Sequence, residues 1–481
     1  MDERVRVRFA PSPTGYLHVG GLRTALYNYL FARKHGGVFV LRIEDTDQAR
    51  YIPGAVEKLI ESLRWTGLSY DEGPGIEGPH GPYFQSQRLP VYREAVDRLL
   101  ADGGAYPCFC TPERLDEMRK QRQQAKLSTK YDRACLLLRP EEVEAKKAAG
   151  SPFVIRMRVP DNAVVRVSDI VRGEVEFSAD ILDDQVLLKS DGYPTYHLAN
   201  VVDDHAMRIT HVIRGEEWLS SAPKHVLLYK SLGYEPPQFA HLPLLLSPDR
   251  AKLSKRQGDV SVEDYRARGY LPEALINFVA FLGWNPGDDR ELFSLEELVQ
   301  EFSLERVNKS GAIFNLEKLR WYQQAWMRCR PAARLLEELR PILAEYGLQG
   351  FEDAYLLRAI ELMRERIGFV QDYPKLSPWL FEDPIEYEPA AVQKRWTRES
   401  PRLLKALLPS LESLAAFEAS ALEGTVKTFA EHEGVGVGEI VHPLRLACSG
   451  VGGGPGLYEM MEVLGRTTCL RRIRSALQVL A

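Results

Sequence analysis

The sequence predicts an α/β fold followed by an all-α C-terminal part, on three observations. A strand, a Gly-rich loop, a helix and a second strand follow one another over residues 4–43. Strand-like and helical segments resume between Gln185 and Leu246. After Trp321 the apolar residues fall mainly at helical spacing. The 481 residues exceed one ordinary core, and at roughly 150 residues per domain about three units are expected. Hydrophobic residues at 45% and charged residues at 27% are globular proportions that exclude disordered, collagen-like and coiled-coil classes. The longest apolar runs, such as Leu242–Leu246, are too short for a membrane span. Residues 1–5 lead straight into a strand-like run without a signal peptide's apolar core, and six cysteines are too few for a disulfide scaffold. Both point to a soluble cytoplasmic protein. The net charge of −5 does not argue against nucleic acid, because a transient partner needs only a local basic face.

Residues 4–9 alternate charged and apolar side chains, the period-2 pattern of a strand with one buried face. Residues 10–15, with two prolines and a glycine, form a loop. From Gly21 onward Leu22, Ala25, Leu26, Tyr29 and Leu30 share one helical face, ending near His35-Gly36-Gly37. Residues 38–43 then complete the βαβ unit of an open parallel sheet. Residues 70–85 are too rich in Gly and Pro for regular structure and mark the start of an insertion. That insertion holds Cys108 and Cys110, a basic stretch from Arg119 to Arg133, and β-type runs at 152–159 and 164–168.

Two local motifs carry chemistry. His18-Val-Gly20-Gly21 sits between a strand and a helix, where unpaired amides and the helix dipole attract phosphate. Gly20 and Gly21 leave the backbone bare for a ribose or adenine, and His18 can donate to phosphate oxygens. Lys252-Leu-Ser-Lys255-Arg256 follows an apolar run and a turn, and two lysines so spaced can neutralise charge on a leaving pyrophosphate. Each alone reads as an ordinary loop. In this order they resemble the two signatures of the class I aminoacyl-tRNA synthetases, with Gly21 and Arg256 as variant positions.

Arg8-Phe-Ala-Pro-Ser12, Arg42-Ile-Glu44-Asp-Thr-Asp47, Tyr196-His-Leu-Ala-Asn200 through Asp204, and Arg214-Gly-Glu-Glu217-Trp218 narrow the resemblance to the bacterial glutamate–tRNA ligases. Pro443-Leu-Arg445 and residues 454–459 extend it into the helical C-terminal part. The resemblance implies a Rossmann-like nucleotide-binding catalytic domain in two halves, 1–85 and 185–250. It further implies an inserted acceptor-binding domain at 86–184, a stem-contact region with the signature loop at 251–325, and a helical anticodon-binding region at 326–481. It implies that Arg8, Tyr196 and Arg214 hold the glutamate side chain, that Ser12 and Glu44 meet its ammonium group, and that Asn200 lies near its carboxylate. His18, Gly20, Glu217, Trp218 and Lys255 would bind ATP, with His18, Lys252 and Lys255 catalytic. Two converging guanidinium groups would pair with a carboxylate and be poorly satisfied by a neutral amide.

The implied reaction is ligation of L-glutamate to the 3′-terminal ribose of tRNA(Glu) through glutamyl-adenylate, with ATP and Mg²⁺, by a monomer. A form that also charges tRNA(Gln), and glutamine–tRNA ligase, are the alternative readings. An RNA-binding descendant would not require His18, Lys252 or Lys255. Cys108, Cys110, Tyr131 and Cys135 could supply three thiolates and a phenolate to a structural zinc, or the cysteines could be reduced thiols in a small lobe. Arg119, Lys120, Arg122, Lys126, Lys130 and Arg133 suit an acceptor backbone, or a solvated helix face. Gly450-x-Gly452-x-Gly454 fails the dinucleotide fingerprint because Pro455 occupies its sixth position, so a turn between helices is expected. Arg466, Arg471, Arg472 and Arg474 add positive charge to the region expected to face the anticodon arm, where Arg364 and Arg366 are candidates for reading it.

Overall fold

The computed structural model describes residues 4–251, 253 and 261–480. They form two compact units, Met1–Arg268 with Pro272–Leu319, and Gly269–Leu271 with Arg320–Ala481.

In the first unit the strand Arg6–Phe9 lies parallel to Val38–Leu41, and the helix Val19–Lys34 connects them, as the sequence predicts. A four-stranded sheet runs in the order Gly173–Ser178, Val164–Asp169, Gln238–Leu242, His211–Gly215. The last two strands are parallel and set Arg214 opposite His241. The Thr210 amide donates to the Arg6 carbonyl, and the Arg6 amide to Thr210 Oγ1, both at 2.9 Å. These bonds tie the first strand to the start of His211–Gly215. Val164–Asp169 comes from within the inserted segment yet pairs in parallel with Gln238–Leu242 at Asp169 and Phe239. The remaining strands of that segment, Ala105–Cys108 and Val154–Met157, build an antiparallel sheet with Val186–Leu188.

One expectation about the first strand needs correcting. Its alternation reads as one buried and one wet face, but all four residues Arg6–Phe9 are buried. Parallel strands are covered on both sides, and the charged face is compensated from within. Arg6 pairs bidentately with Glu72 at 2.8 and 3.0 Å, and Arg8 with Asp204 at 3.0 and 3.3 Å.

From residue 320 onward the described residues of the second unit form helices joined by turns and loops, with no strand among them. Leu335, Leu336, Leu339 and Leu343 line the buried face of Ala332–Glu345, and Leu403, Leu404, Leu407 and Leu411 that of Ser400–Glu412. Each follows the i, i+4, i+8 stripe of a core-facing helix, and each buried Leu contributes about 1.5–3 kcal/mol. The Gly450–Gly456 segment is the expected turn, joining Gly438–Ser449 to Leu457–Leu464, with Gly450 at φ 77° in the left-handed region. No described helix is long and apolar enough to cross a membrane.

Candidate active site

A cavity of about 240 Å³ opens where the strands Arg6–Phe9 and His211–Gly215 end. Ligands of open parallel sheets bind at such carboxyl ends. The six residues expected around glutamate (Arg8, Ser12, Glu44, Tyr196, Asn200 and Arg214) all line it, together with Glu217 and Trp218. The strands deliver Arg8 and Arg214, while the helix Tyr196–Ala206 presents Tyr196 and Asn200 one turn apart on one face. The Trp218 ring packs on Tyr196 with centroids 4.2 Å apart.

Beneath the cavity lies a buried ionic network. Asp204 accepts from Arg8 and, at 2.7 Å, from Arg42 Nη1. Arg42 also reaches Glu44 at 3.4 Å. Asp203 accepts from Arg88 at 2.6 Å, Tyr92 at 2.8 Å and Gln85 at 2.9 Å. The two adjacent guanidinium groups hold the Asp204 carboxyl below the usual range against a large desolvation penalty. Glu44 goes the other way: burial pushes its carboxyl up to about 7, only partly offset by Arg42 and Arg8. Sequence reasoning missed Asp203, Asp204 and Arg42 as supports. Asp204 stands one helical turn beyond Asn200, and that spacing was the available signal.

Arg214 is held differently. Its Nε donates to His241 Nε2 at 3.1 Å, and its Nη1 to Tyr196 Oη at 3.1 Å and His225 Nδ1 at 3.2 Å. Among the described residues its Nη2 has no partner, although the residue is 4% exposed. Asn200 Nδ2 is likewise buried without a partner. Unmet buried donors are costly, so two of them lining one cavity mark a place shaped for acceptors.

His18 and Gly20 lie outside this cavity, at the start of the helix Val19–Lys34, whose Thr24 reaches the cavity wall. His18 is the residue before the first helical turn, in extended conformation, and no acidic residue occupies that turn to compete for its amides. Among the described residues, a Cβ built on Gly20 would meet only a Leu245 methyl, at 3.9 Å, so little covers the backbone there. Glu217 folds back over Gly215, where a Cβ would collide with its carboxylate. Lys252 and Lys255 lie outside the described residues.

In the inserted segment the sulfurs of Cys108, Cys110 and Cys135 lie within 4.8 Å of one another, Cys110 and Cys135 at 3.5 Å. Tyr131 Oη stands 3.3 Å from both the Cys108 and Cys110 sulfurs and accepts the Cys135 amide at 3.0 Å. A tetrahedral zinc with ~2.3 Å bonds to sulfur implies ligand separations near 3.8 Å, so this donor set fits the ion. The Arg156 guanidinium, 4.2 Å above the Tyr131 ring, adds positive charge. Burial and the neighbouring thiols drive the Tyr131 phenol up, whereas hydrogen bonds from its neighbours draw Cys108 down.

The basic stretch is partly spent inside the fold. Arg133 pairs with Asp161 and Asp184, and Arg119 with Asp116, while Lys120 and Lys126 are exposed. In the helical unit, Arg472 must be withdrawn from the charge offered to a partner. It is 3% exposed and donates to Asp383 and to the carbonyls of Trp379, Cys448 and Glu382 at 2.7–2.9 Å. Arg364 is also committed, donating to the carbonyls of Met327, Arg328 and Arg330. Arg366 is exposed.

Comparison with known proteins agrees with this geometry. Residues 4–321 match the catalytic domain of class I tRNA synthetases (E and Q), and residues 334–477 an anticodon binding domain. A glutamate–tRNA ligase from Chlorobium luteolum is 52% identical over 99% of this chain and 98% of its own. One from Chloroherpeton thalassium is 50% identical over 100% and 99%. A crystal structure of a glutamate–tRNA ligase from Elizabethkingia meningosepticum, solved with its amino acid, superposes with a TM-score of 0.94 at 41% identity, covering both chains completely. The chain therefore belongs to the glutamate–tRNA ligases, within the class I tRNA synthetases.

Proposed function

We propose that this enzyme activates L-glutamate with ATP and joins it to the 3′-terminal ribose of tRNA(Glu). The observation that carries the reading is the pair of buried, unpartnered donors, Arg214 Nη2 and Asn200 Nδ2, lining one cavity with Glu44. Arg214, Arg8 and Tyr196 take the side-chain carboxylate, Glu44 and Ser12 the ammonium group, and Asn200 the α-carboxylate. A neutral carboxamide would leave Arg214 without a counter-charge.

The α-carboxylate oxygen attacks the α-phosphorus of ATP in line. The new O–P bond gives glutamyl-adenylate, and the bond to the β-phosphate breaks to release pyrophosphate. The ribose 2′-OH of the tRNA then attacks the activated carbonyl and AMP leaves. No covalent enzyme intermediate is needed, because orientation and charge stabilisation supply most of the acceleration. His18 and the helix N-terminus meet the phosphates, Gly20, Glu217 and Trp218 the nucleoside, and Lys252 and Lys255 the departing pyrophosphate. Mg²⁺ bound to the ATP substrate would offset part of the phosphate charge. The first step waits for bound tRNA, whose acceptor end is taken by residues 86–184, its stem by 251–325 and its anticodon arm by 326–481. The protein works as a cytoplasmic monomer.

Cys108, Cys110, Cys135 and Tyr131 hold one zinc that fixes the inserted lobe. Metal analysis of protein purified without chelator should find one equivalent; none would overturn the site. ATP–pyrophosphate exchange tests the main reading, with glutamate or glutamine, each with and without tRNA. Exchange with glutamate in the presence of tRNA is expected. Exchange with glutamine alone, or none at all, would overturn the reading.

A further inference from the structure

The two arginines of the cavity are compensated in opposite ways. Arg8 spends Nε and Nη2 on the Asp204 carboxylate. Arg214 is bound by His241, His225 and Tyr196, none of them a carboxylate. A guanidinium group only donates, so each histidine nitrogen facing it must be an unprotonated acceptor. Asp169 fixes this for His241. Its Oδ2 lies 2.6 Å from His241 Nδ1, so that nitrogen carries the proton and Nε2 is left to accept. Asp169 is itself anchored by the amides of Val171, Arg172 and His241. For His225 the second nitrogen, Nε2, lies 3.0 Å from His197 Nδ1 and carries the proton toward it. The aromatic ring of Phe239, 5.8 Å from the guanidinium carbon, closes another side. Burial disfavours charge on both His225 and His241, in keeping with neutral imidazoles.

We propose that His241 and His225 are positioning residues that set the preference for glutamate over glutamine: they hold Arg214 through neutral acceptors and leave its charge for the substrate's side-chain carboxylate. A carboxylate in either place would fix Arg214 equally well but would neutralise it, and the pocket would lose its reason to reject an amide. The inference rests on the proposal that this cavity takes glutamate.

The test uses isosteric pairs in the full-length enzyme. Asn and Asp place an oxygen where His225 offers Nδ1, and Gln and Glu where His241 offers Nε2. Pyrophosphate exchange with tRNA present gives kcat/KM for glutamate and for glutamine. His225→Asp and His241→Glu should raise the glutamate KM at least tenfold with kcat within threefold, and lower the glutamate-to-glutamine ratio at least tenfold. His225→Asn and His241→Gln should stay within threefold of the wild-type ratio. Equal ratios in the acid and amide variants would overturn the proposal. Should circular dichroism show the acid variants unfolded, His225→Leu decides. It removes the acceptor and should lose at least fivefold of the ratio that His225→Asn keeps, and equality again overturns the idea. A wild-type enzyme that does not use glutamate would instead defeat the functional reading.

Discussion

Arg214 in the first unit and Arg472 in the second are buried to the same extent, 4% and 3% exposed. Arg472 meets one carboxylate and three carbonyls, so each of its three guanidinium nitrogens has an acceptor. Arg214 meets two imidazoles and a phenol, and among the described residues its Nη2 has no acceptor. Burial of charge is expensive in both. In the helical unit the fold itself offsets that cost, through Asp383 and the carbonyls of Trp379, Glu382 and Cys448. In the cavity the repayment is deferred to a ligand. The number of donors left unmet therefore separates a structural arginine from a binding one better than burial does.

The comparison breaks most readily at Arg214. Arg214→Ala should lower kcat/KM for glutamate about 10³-fold, as loss of about 4 kcal/mol of buried charge pairing requires. Its melting temperature should stay within a few degrees of wild type or rise, because the lost cation has no counter-charge in the free enzyme. A large drop in melting temperature would class Arg214 with Arg472. The reciprocal change, Arg472→Met, should cost about 3–5 kcal/mol in denaturant unfolding, since it leaves three enclosed carbonyls without their donor, while Asp383 keeps Arg471. Should the helical unit lose less than about 1 kcal/mol, its carbonyls find other donors and the contrast fails.

How far each arginine could be recognised from sequence differs for a physical reason. Arg8, Glu44, Tyr196, Asn200 and Arg214 sit in motifs at strand ends and on one helical face, and the cavity gathers them all. The helix at the C-terminus also carries a readable signal. Cys469, Ile473 and Ala476 are buried, and Arg472 lies at i+3 from the first and i−4 from the last, on the same face. Counting arginines as charge obscured that periodicity. His241 and His225 carry no such signal. His241 reaches Arg214 only because two parallel strands pair in one register, and a one-residue slip would turn it to the other side. Compensation is likewise invisible before the fold: residues 4–9 look amphipathic until Glu72 and Asp204 are seen to cover the charged face.

Glu44 sharpens the comparison through pH. Its carboxyl, raised to about 7 chiefly by burial, holds its proton in the free enzyme below that pH. The substrate ammonium requires the ionised form. The kcat/KM for glutamate should therefore fall about tenfold per pH unit below pH ~7 and level off above it. Glu44→Gln should start lower and lose this limb. A limb that persists in the Gln variant belongs to another group, and a flat wild-type profile would show that Glu44 is already ionised without substrate.

The smallest effect belongs to the neighbour of Arg472. Arg471 binds the same carboxylate, Asp383, at 2.7 and 2.8 Å, yet its side chain is 56% exposed. Water screens that pair, and exposed ion pairs typically contribute about 0–1 kcal/mol. Arg471→Ala should therefore change unfolding free energy by less than about 1 kcal/mol, and less again in high salt. Arg472 alone still neutralises Asp383 after the change. If Arg471→Ala instead cost as much as Arg472→Met, the shared carboxylate rather than the enclosed carbonyls would be what makes a buried arginine structural. The count of unmet donors would then lose its meaning, at Arg214 as well.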